Sequence, residues 1–294
     1  MREHGANVPA AVGGPYCLTV SCPSRAGQVA AIAAFLEKHQ GYIREFAVYD
    51  DPTGRFFVRC VYTVASELEG LEAMREAFVP VADAFEMEAT FYDMSVAPRV
   101  VIMVSKLEHC LADLLFRVRM RELNMNVVAI GSNHPDLKNH ADAAGIPYHY
   151  MPVGPQNRQE QEAQILKLMD DTRAELLVLA RYMQILTDRT SRALSGRAIN
   201  IHHSFLPGFK GAKPYHQAYE RGVKIIGATA HFVTEDLDEG PIIEQSVHHV
   251  DHSYSPDDLL ALGRNMESHA LARAVRYFVE RRIFMNRHRT IVLR

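Results

Sequence analysis

The spacing of apolar residues divides the chain into two parts. In the first part, runs rich in β-branched and aromatic residues alternate with runs of helical spacing, in the order β-α-β-β-α-β over about 80 residues. This order predicts a ferredoxin-like unit. Its predicted strands are Tyr16–Ser21, Tyr42–Tyr49, Arg55–Val64 and Glu86–Met94, and its predicted helices are Val29–His39 and Glu67–Phe78.

A short connector, Ser95–Pro98, separates this part from the second, because proline disfavours helix in the residue before it. Beyond it, apolar strands alternate with helices, a pattern typical of a doubly wound α/β fold with a mostly parallel sheet. The predicted strands are Arg99–Ser105, Val127–Ile130, Tyr148–Pro152, Leu176–Ala180, Ala198–His202, Lys224–Thr234, Pro241–Val250 and Arg289–Leu293. The predicted helices are Glu108–Leu123, Pro135–Ala144, Arg158–Thr172, Thr190–Ser195 and Ser255–Arg281. We therefore predict a flexible tail over 1–14, one domain over 15–96 and a second over 99–294.

Composition narrows the class of protein. Hydrophobic residues make up 48% of the chain and charged residues 23%, which is typical of a globular protein. The formal net charge of −3 gives no support to a nucleic-acid partner. No apolar run approaches the roughly 18 residues of a membrane span, and the first residues lack the apolar core of a signal peptide. The four cysteines have no metal-site spacing, so we expect free thiols and a cytoplasmic location.

Two polar residues at the end of one predicted strand are candidates for chemistry. Asn200 and His202 lie two positions apart, so their side chains share one face of the strand. They also lie at its carboxyl end, where open α/β sheets bind ligands. An amide and an imidazole together can stabilise a developing oxyanion or deliver a proton. The alternative interpretation is a strand end whose polar residues cap a loop.

An acidic turn, Glu235–Gly240, follows the next predicted strand. A carboxylate near His202 would favour its protonated form and could accept a hydrogen bond from a water. The alternative is a plain solvated turn. A shared metal ion at His202 and His203 is disfavoured, because adjacent strand residues face opposite sides, and no HExxH motif is present. We therefore predict no metal site.

A longer motif makes the interpretation more specific. The run NIHHSFLPGFKGAKPYHQAYERGVKIIGATAHFVTEDLDEGPI resembles the core of the folate-dependent formyltransferases, which share an Asn-x-His…Asp arrangement. The similarity extends from about Val100 to the C-terminus. It implies that Asn200, His202 and Asp238 are catalytic, with His203 and His231 as possible supporting residues. For His231, a satisfied core histidine is the alternative.

Within that superfamily, NIHHSFLP and GAKPYHQAYERGVKIIGATAHFV look like the formyltetrahydrofolate deformylase branch. The resemblance implies hydrolysis of 10-formyltetrahydrofolate to formate and tetrahydrofolate, with water as the nucleophile and no cofactor. It further implies a role in supplying formate for purine biosynthesis and in balancing the one-carbon folate pool. Transformylases of this superfamily have a Gly/Ser-rich phosphate-binding loop where this chain has Ser105–Cys110, which favours hydrolysis over transfer. A transferase with another amine acceptor, such as a sugar nucleotide, and a sensor without turnover remain alternatives.

The folate site is also implied by the resemblance. The segment 179–186 is similar to the pterin-pocket strand and loop of the family, although core packing is the alternative for its apolar residues. The implied substrate-binding residues are Met183, Gln184, Ile185, Leu186, Thr234, Glu235 and Asp236.

The N-terminal unit looks like an ACT domain, on the strand-loop-helix opening that begins at Leu18. The loop departs from the family at Ser24 and Ala26, so two expectations stay open. One is a regulatory site for a one-carbon-linked amino acid such as glycine or methionine. The other is a module that only mediates dimerisation. Pairing of such units implies a homodimer or homotetramer.

Overall fold

A computed structural model describes residues 13–64, 70–206 and 214–294 of the chain. Its contacts define two compact units. The first contains the described residues up to Val96 together with Glu280–Phe284 and Val292–Arg294. The second contains Ala97–Val279 and Met285–Ile291. The change of unit lies within the predicted connector. The prediction of one unbroken domain over 99–294 differs from this division, because two C-terminal segments pack with the first unit.

The first unit has one four-stranded sheet in the order β2-β3-β1-β4, and every strand pair is antiparallel. Its elements are β1 (Gly13–Pro23), α1 (Gln28–Lys38), β2 (Gly41–Asp51), β3 (Arg55–Val64), α2 (Leu71–Phe85) and β4 (Glu88–Asp93). The predicted β-α-β-β-α-β order is confirmed, and the sheet fits an ACT-like domain.

Strand alternation explains the core of this unit. Leu18 and Val20 are two apart on β1 and are fully buried in one cluster with Ile32, Leu36 and other apolar residues. The cluster also takes in residues of α2 as far as Phe85, so tertiary packing carries this helix past Pro80 and beyond its predicted end at Phe78.

A cluster of charged residues surrounds the buried Arg59 of β3. Arg59 is 3% exposed, and its Nε donates a 2.8 Å hydrogen bond to the carbonyl of Glu280. The Glu45 carboxylate lies 2.8 Å from Nη1 of Arg59 and 2.9 Å from Nη1 of Arg282. One carboxylate therefore contacts two guanidinium groups, and Glu280 supplies a second carboxylate to Arg282.

The second unit is built on a seven-stranded sheet in the order β11-β10-β9-β8-β5-β6-β7. Its strands are β5 (Arg99–Val104), β6 (Asn126–Ser132), β7 (Tyr148–Tyr150), β8 (Leu176–Leu179), β9 (Ala198–His202), β10 (Ile225–Phe232) and β11 (Ile242–His249). Its helices are α3 (His109–Arg119), α4 (Lys138–Ala144), α5 (Arg158–Asp171), α6 (Asp188–Ala193), α7 (Pro214–Glu220) and α8 (Pro256–Val279). The chain ends with the paired strands β12 (Ile283–Asn286) and β13 (Arg289–Val292).

One strand of the seven-stranded sheet, β10, runs opposite to the other six. The pairs from β7 to β9 are parallel, whereas β10 runs antiparallel to both β9 and β11. The predicted mostly parallel α/β fold is confirmed. None of the helices in the described ranges combines the length and the apolar character needed to cross a membrane.

Three local predictions differ from the structure. Residues 13 and 14 open β1 and do not belong to a tail, while 1–12 lie outside the described residues. Residues 67–69 of a predicted helix, and 207–213 of the quoted motif, also lie outside the described residues.

The elements α7 and β12 were not predicted. Helix α7 is too short for its apolar residues to show a helical period. Tertiary packing fixes it instead. Tyr215 is buried against Gly263 of α8, where even a Cβ would overlap the tyrosine ring.

The Glu45 carboxylate gives a stability prediction. We expect Glu45→Gln to destabilise the first unit by about 2 kcal/mol, because the buried Arg59 loses its counter-charge. Urea unfolding monitored by a probe in this unit measures the change. Glu88→Gln is the control, since Glu88 pairs with Arg55 at the surface at 3.6 Å, and we expect less than about 1 kcal/mol. Equal effects in both variants would contradict the assignment.

Candidate active site

The candidate site lies where three segments of the second unit meet. Strands β8 and β9 are parallel and pair Leu179 with Asn200, so the loop after β8 begins next to Asn200. Strand β10 is antiparallel to β9 and places His231 opposite Asn200. The turn after β10 then reaches back to His202. Sheet topology therefore brings together groups from segments more than fifty residues apart in sequence.

The Asn200 amide is held by His231. His231 is 3% exposed, and its Nδ1 donates a 2.9 Å hydrogen bond to the carbonyl of Phe232. Its Nε2 is then the acceptor for Nδ2 of Asn200, at 3.2 Å. Burial lowers the pKa of His231, although the Phe232 carbonyl and the Asp238 carboxylate oppose this, and the neutral form agrees with the accepting nitrogen. One N–H of the Asn200 amide is left for a ligand.

His202 and Asp238 form a hydrogen-bonded pair at the centre of the site. Nδ1 of His202 lies 3.1 Å from Oδ1 of Asp238, and the same oxygen lies 3.8 Å from Nε2 of His231. Burial alone would raise the pKa of the Asp238 carboxyl. The hydrogen bond from His202 and the electrostatic interaction with its ring outweigh burial and lower that pKa below its ordinary value. Asp238 is therefore a carboxylate at neutral pH.

The acidic turn is conformationally strained at Asp238. Asp238 has φ of 59°, in the left-handed region that non-glycine residues rarely adopt. A Cβ at Gly240 would overlap the Phe232 carbonyl, so only glycine allows the turn to approach β10 so closely. The Asp238 backbone conformation and the Gly240 contact fix the turn, so the backbone as well as the side-chain rotamer sets the position of the Asp238 carboxylate.

An open cavity of about 440 Å³ adjoins these residues. The predicted substrate-binding residues all line it: Met183, Gln184, Ile185, Leu186, Thr234, Glu235 and Asp236. Met183 and Ile185 are each 55% exposed and Leu237 is 54% exposed. Large exposed apolar side chains around a cavity indicate a ligand with an apolar face. The core-packing alternative is wrong for Met183 and Ile185, whereas Leu186 is 8% exposed and does join the core.

Buried polar anchors hold the loop after β8, and no motif or periodicity in the sequence predicts them. Oγ of Ser105 accepts a 3.1 Å hydrogen bond from the backbone N–H of Met183 and donates one of 2.7 Å to Asn133. Glu162, which is 4% exposed, accepts a 3.0 Å hydrogen bond from the backbone N–H of Thr187. Glu162 belongs to a helix with a mostly polar sequence, so its burial could not be recognised from periodicity.

A second imidazole lies beside His202. The rings of His202 and His203 are edge to face, with centroids 5.1 Å apart. Burial, followed by the charges of Arg181 and His202, lowers the pKa of His203 to about 4. Arg181 has φ of 63°, and its Nε lies 3.3 Å from Oε2 of the buried Glu267. His203 is therefore neutral at physiological pH.

Glu267 also belongs to a group of potential metal ligands. Donor atoms of His109, Cys110 and Glu267 lie within 4.8 Å of one another. The Arg181 guanidinium already pairs with this carboxylate, and Tyr215 donates to it at 3.0 Å. Burial raises the pKa of the Cys110 thiol, which keeps it protonated. The group fits a hydrogen-bonded charge cluster better than a cation site.

Comparison with known proteins identifies the family. The formyl transferase family model matches residues 98–275. A formyltetrahydrofolate deformylase of Corynebacterium sp. (strain P-1) is 50% identical, over 95% of this chain and 98% of that protein. The chain belongs to the formyltetrahydrofolate deformylase family. Deformylases are hydrolases, and the family reaction is hydrolysis of 10-formyltetrahydrofolate to formate and tetrahydrofolate.

Solved structures agree with the deformylase assignment. The crystal structure of formyltetrahydrofolate deformylase from Burkholderia mallei ATCC 23344 is 56% identical and has a TM-score of 0.91, covering 95% of this chain and 99% of that chain. A glycinamide ribonucleotide transformylase from Symbiobacterium toebii has a TM-score of 0.64 at 29% identity and covers 69% of this chain. The resemblance inferred from sequence is confirmed, while the roles of individual site residues stay predictions.

The buried histidines predict how stability depends on pH. The folded-state pKa of His203 is about 4 and that of His231 is also lowered, against an ordinary value of 6.5. The unfolded chain therefore binds more protons below pH 6.5, so stability is complete above pH 6.5 and falls as the pH approaches 4.

We expect His203→Asn to reduce this slope by at most about 1.4 kcal/mol per pH unit, the value for one proton. Urea unfolding of the second unit between about pH 4.5 and about pH 8 measures the slope. An unchanged slope in the variant would show that His203 is protonated in the folded state.

Proposed function

We propose that this chain catalyses the reaction of its family through Asn200, His202 and Asp238. The observation that carries the proposal is the His202–Asp238 pair, 3.1 Å apart, in one cavity with Asn200. The three groups supply an amide donor, an imidazole and a carboxylate, which are the groups that addition of water to a formyl carbon requires.

The folate binds, in this proposal, in the cavity between the loop after β8 and the turn after β10. Met183 and Ile185 offer apolar surface to the faces of the pterin ring. Backbone groups of 234–236 hydrogen-bond to the edge of the ring. Thr234 donates its hydroxyl to the carbonyl of Asp236 at 3.1 Å, which stabilises the turn in its ligand-binding shape.

The reaction begins with addition of water to the formyl carbon. The water oxygen forms a C–O bond, one water proton passes to the Asp238 carboxylate, and the carbonyl electron pair moves to oxygen. The free N–H of Asn200 and Nε2–H of protonated His202 stabilise this oxyanion. Nδ1 of His202 faces Asp238, so Nε2 is the nitrogen left for substrate.

Collapse of the tetrahedral intermediate completes hydrolysis. His202 gives its proton to N10, the C–N10 bond breaks with its electron pair on nitrogen, and the carbonyl re-forms. The products are tetrahydrofolate and formic acid, which releases its proton to solvent as formate. The proton on Asp238 returns to His202. The cycle needs no metal and no cofactor, and water is the acceptor.

Formate release without an added amine tests the proposal. We expect the purified chain to form formate and tetrahydrofolate in equal amounts. Asn200→Ala and Asp238→Asn should each lower kcat by about 100-fold or more, because each group acts on the transition state. Asp257→Asn, at the exposed start of α8, is the control and should keep normal turnover.

Two outcomes would contradict the proposal. Near-normal turnover in Asp238→Asn would remove Asp238 from the mechanism. Folate binding without formate release would indicate a transferase with another acceptor, or a sensor.

We further propose that the first unit binds an amino acid such as glycine or methionine. A cavity of about 670 Å³ adjoins the loop between β1 and α1 and is lined by Gly27, Gln28 and Asp50 among others. The first turn of α1 has no side-chain cap and no acidic residue, so its N–H groups are suited to a carboxylate. Asp50 is a counter-charge for an ammonium group.

Calorimetric titration with glycine and with methionine tests the effector proposal. We expect heat of binding for one of them, reduced in Asp50→Asn, with Glu37→Gln as a surface control. Absence of heat with both would leave the unit as a dimerisation module.

We also infer that the chain forms a homodimer or homotetramer in the cytoplasm. In support, β2 is an edge strand of eleven residues with exposed Tyr42, Val48 and Tyr49. The cysteines Cys17, Cys22, Cys60 and Cys110 are all buried free thiols, which fits a reducing compartment. Light scattering measures the mass in solution.

A further inference from the structure

Two buried imidazole nitrogens lie beside the proposed reaction centre. Within residues 13–64, 70–206 and 214–294, Nε2 of His202 and Nδ1 of His203 are shielded from solvent and have no hydrogen-bond partner. An unpaired buried polar atom costs about 1–3 kcal/mol. The mechanism above uses Nε2 of His202 for the oxyanion. Nδ1 of His203 is therefore a buried polar atom that still has no role.

The surroundings of His203 define what this atom can do. The positive charges of Arg181 and His202 act on the ring and disfavour its protonated form. A neutral imidazole with hydrogen on Nε2 presents a lone pair at Nδ1 and accepts a hydrogen bond there. In the tautomer with hydrogen on Nε2, the partner of Nδ1 is a donor. Free carboxylates, including the product formate, have no donor to offer.

The ring is also held in place. It packs edge to face on His202, with centroids 5.1 Å apart. Arg181, whose charge acts on the ring, is paired with Glu267, which is 2% exposed and also lies 2.7 Å from Nε2 of His109. Arg181 and His203 both line the cavity that contains Asn200. Nδ1 is thus a rigid acceptor at the edge of the reaction site.

We propose that Nδ1 of His203 accepts a hydrogen bond from the attacking water, an inference that rests on the proposed hydrolysis. A water molecule has two O–H groups, and the mechanism assigns one of them to Asp238. A second acceptor fixes the rotation of the water, so that an oxygen lone pair points at the formyl carbon. Asp238 receives the proton, whereas His203 keeps its own protonation state and orients the nucleophile.

Three variants at one position test this role. Asn can place Oδ1 close to the position of Nδ1, whereas Gln reaches towards the position of Nε2. We expect His203→Ala to lower kcat for formate release by about 100-fold, with KM changed less than about 3-fold. His203→Asn should recover most of the rate, and His203→Gln should not. Thermal unfolding at about pH 8 verifies that the variants fold. At that pH His203 is neutral in both the folded and the unfolded chain.

A second nucleophile separates water orientation from a structural role. Hydroxylamine can accept the formyl group and give formohydroxamate, and it does not depend on the hydrogen bonds that orient water. We expect the ratio of formohydroxamate to formate to rise in His203→Ala. Equal loss of both products, or equal rates in the Ala and Asn variants, would overturn the inference. An unmodified chain that makes no formate would instead contradict the proposed function itself.

Discussion

The antiparallel pairing of β10 with β9 is the constraint on which the candidate site depends. It places His231 directly opposite Asn200, and the turn that follows returns Asp238 to within 3.1 Å of His202. Because antiparallel β10 ends beside Ala198, where the Val233 N–H donates to the Ala198 carbonyl, the turn has to fold back along β9 to reach His202. The single reversed strand and the turn after it thus assemble a carboxylate, an imidazole and an amide without any long-range covalent link.

Neighbouring groups stabilise the strained and charged residues of the candidate site. Asp238 adopts a left-handed backbone conformation, which persists because Gly240 packs against the Phe232 carbonyl. Behind the reactive groups, Glu267 neutralises Arg181. Burial in this region keeps His203 and His231 neutral, so both rings can accept hydrogen bonds. The site therefore combines one carboxylate with neutral acceptors, an arrangement suited to holding a polar substrate and a water.

Carboxylates that pair with buried groups have different roles in the two units. In the first unit, Glu45 links Arg59 of β3 to Arg282 near the C-terminus, so the contact contributes to the stability of the unit. In the second unit, Glu162 holds Thr187 and so shapes the loop that contributes Met183 to the cavity. Neither carboxylate is part of a recognisable motif, and both were found only from the contacts they make in the folded chain.

The amino-acid sequence by itself determined the order of strands and helices apart from α7 and β12, the change of unit near Pro98 and the candidates Asn200, His202 and Asp238. These features are local, because periodicity and short motifs act over a few residues. Tertiary structure alone decided the direction of β10, the anchoring of the Met183 loop by Ser105 and Glu162, and the unpaired nitrogen of His203. Each of these depends on contacts between residues distant in sequence, and no local pattern encodes which distant groups will meet.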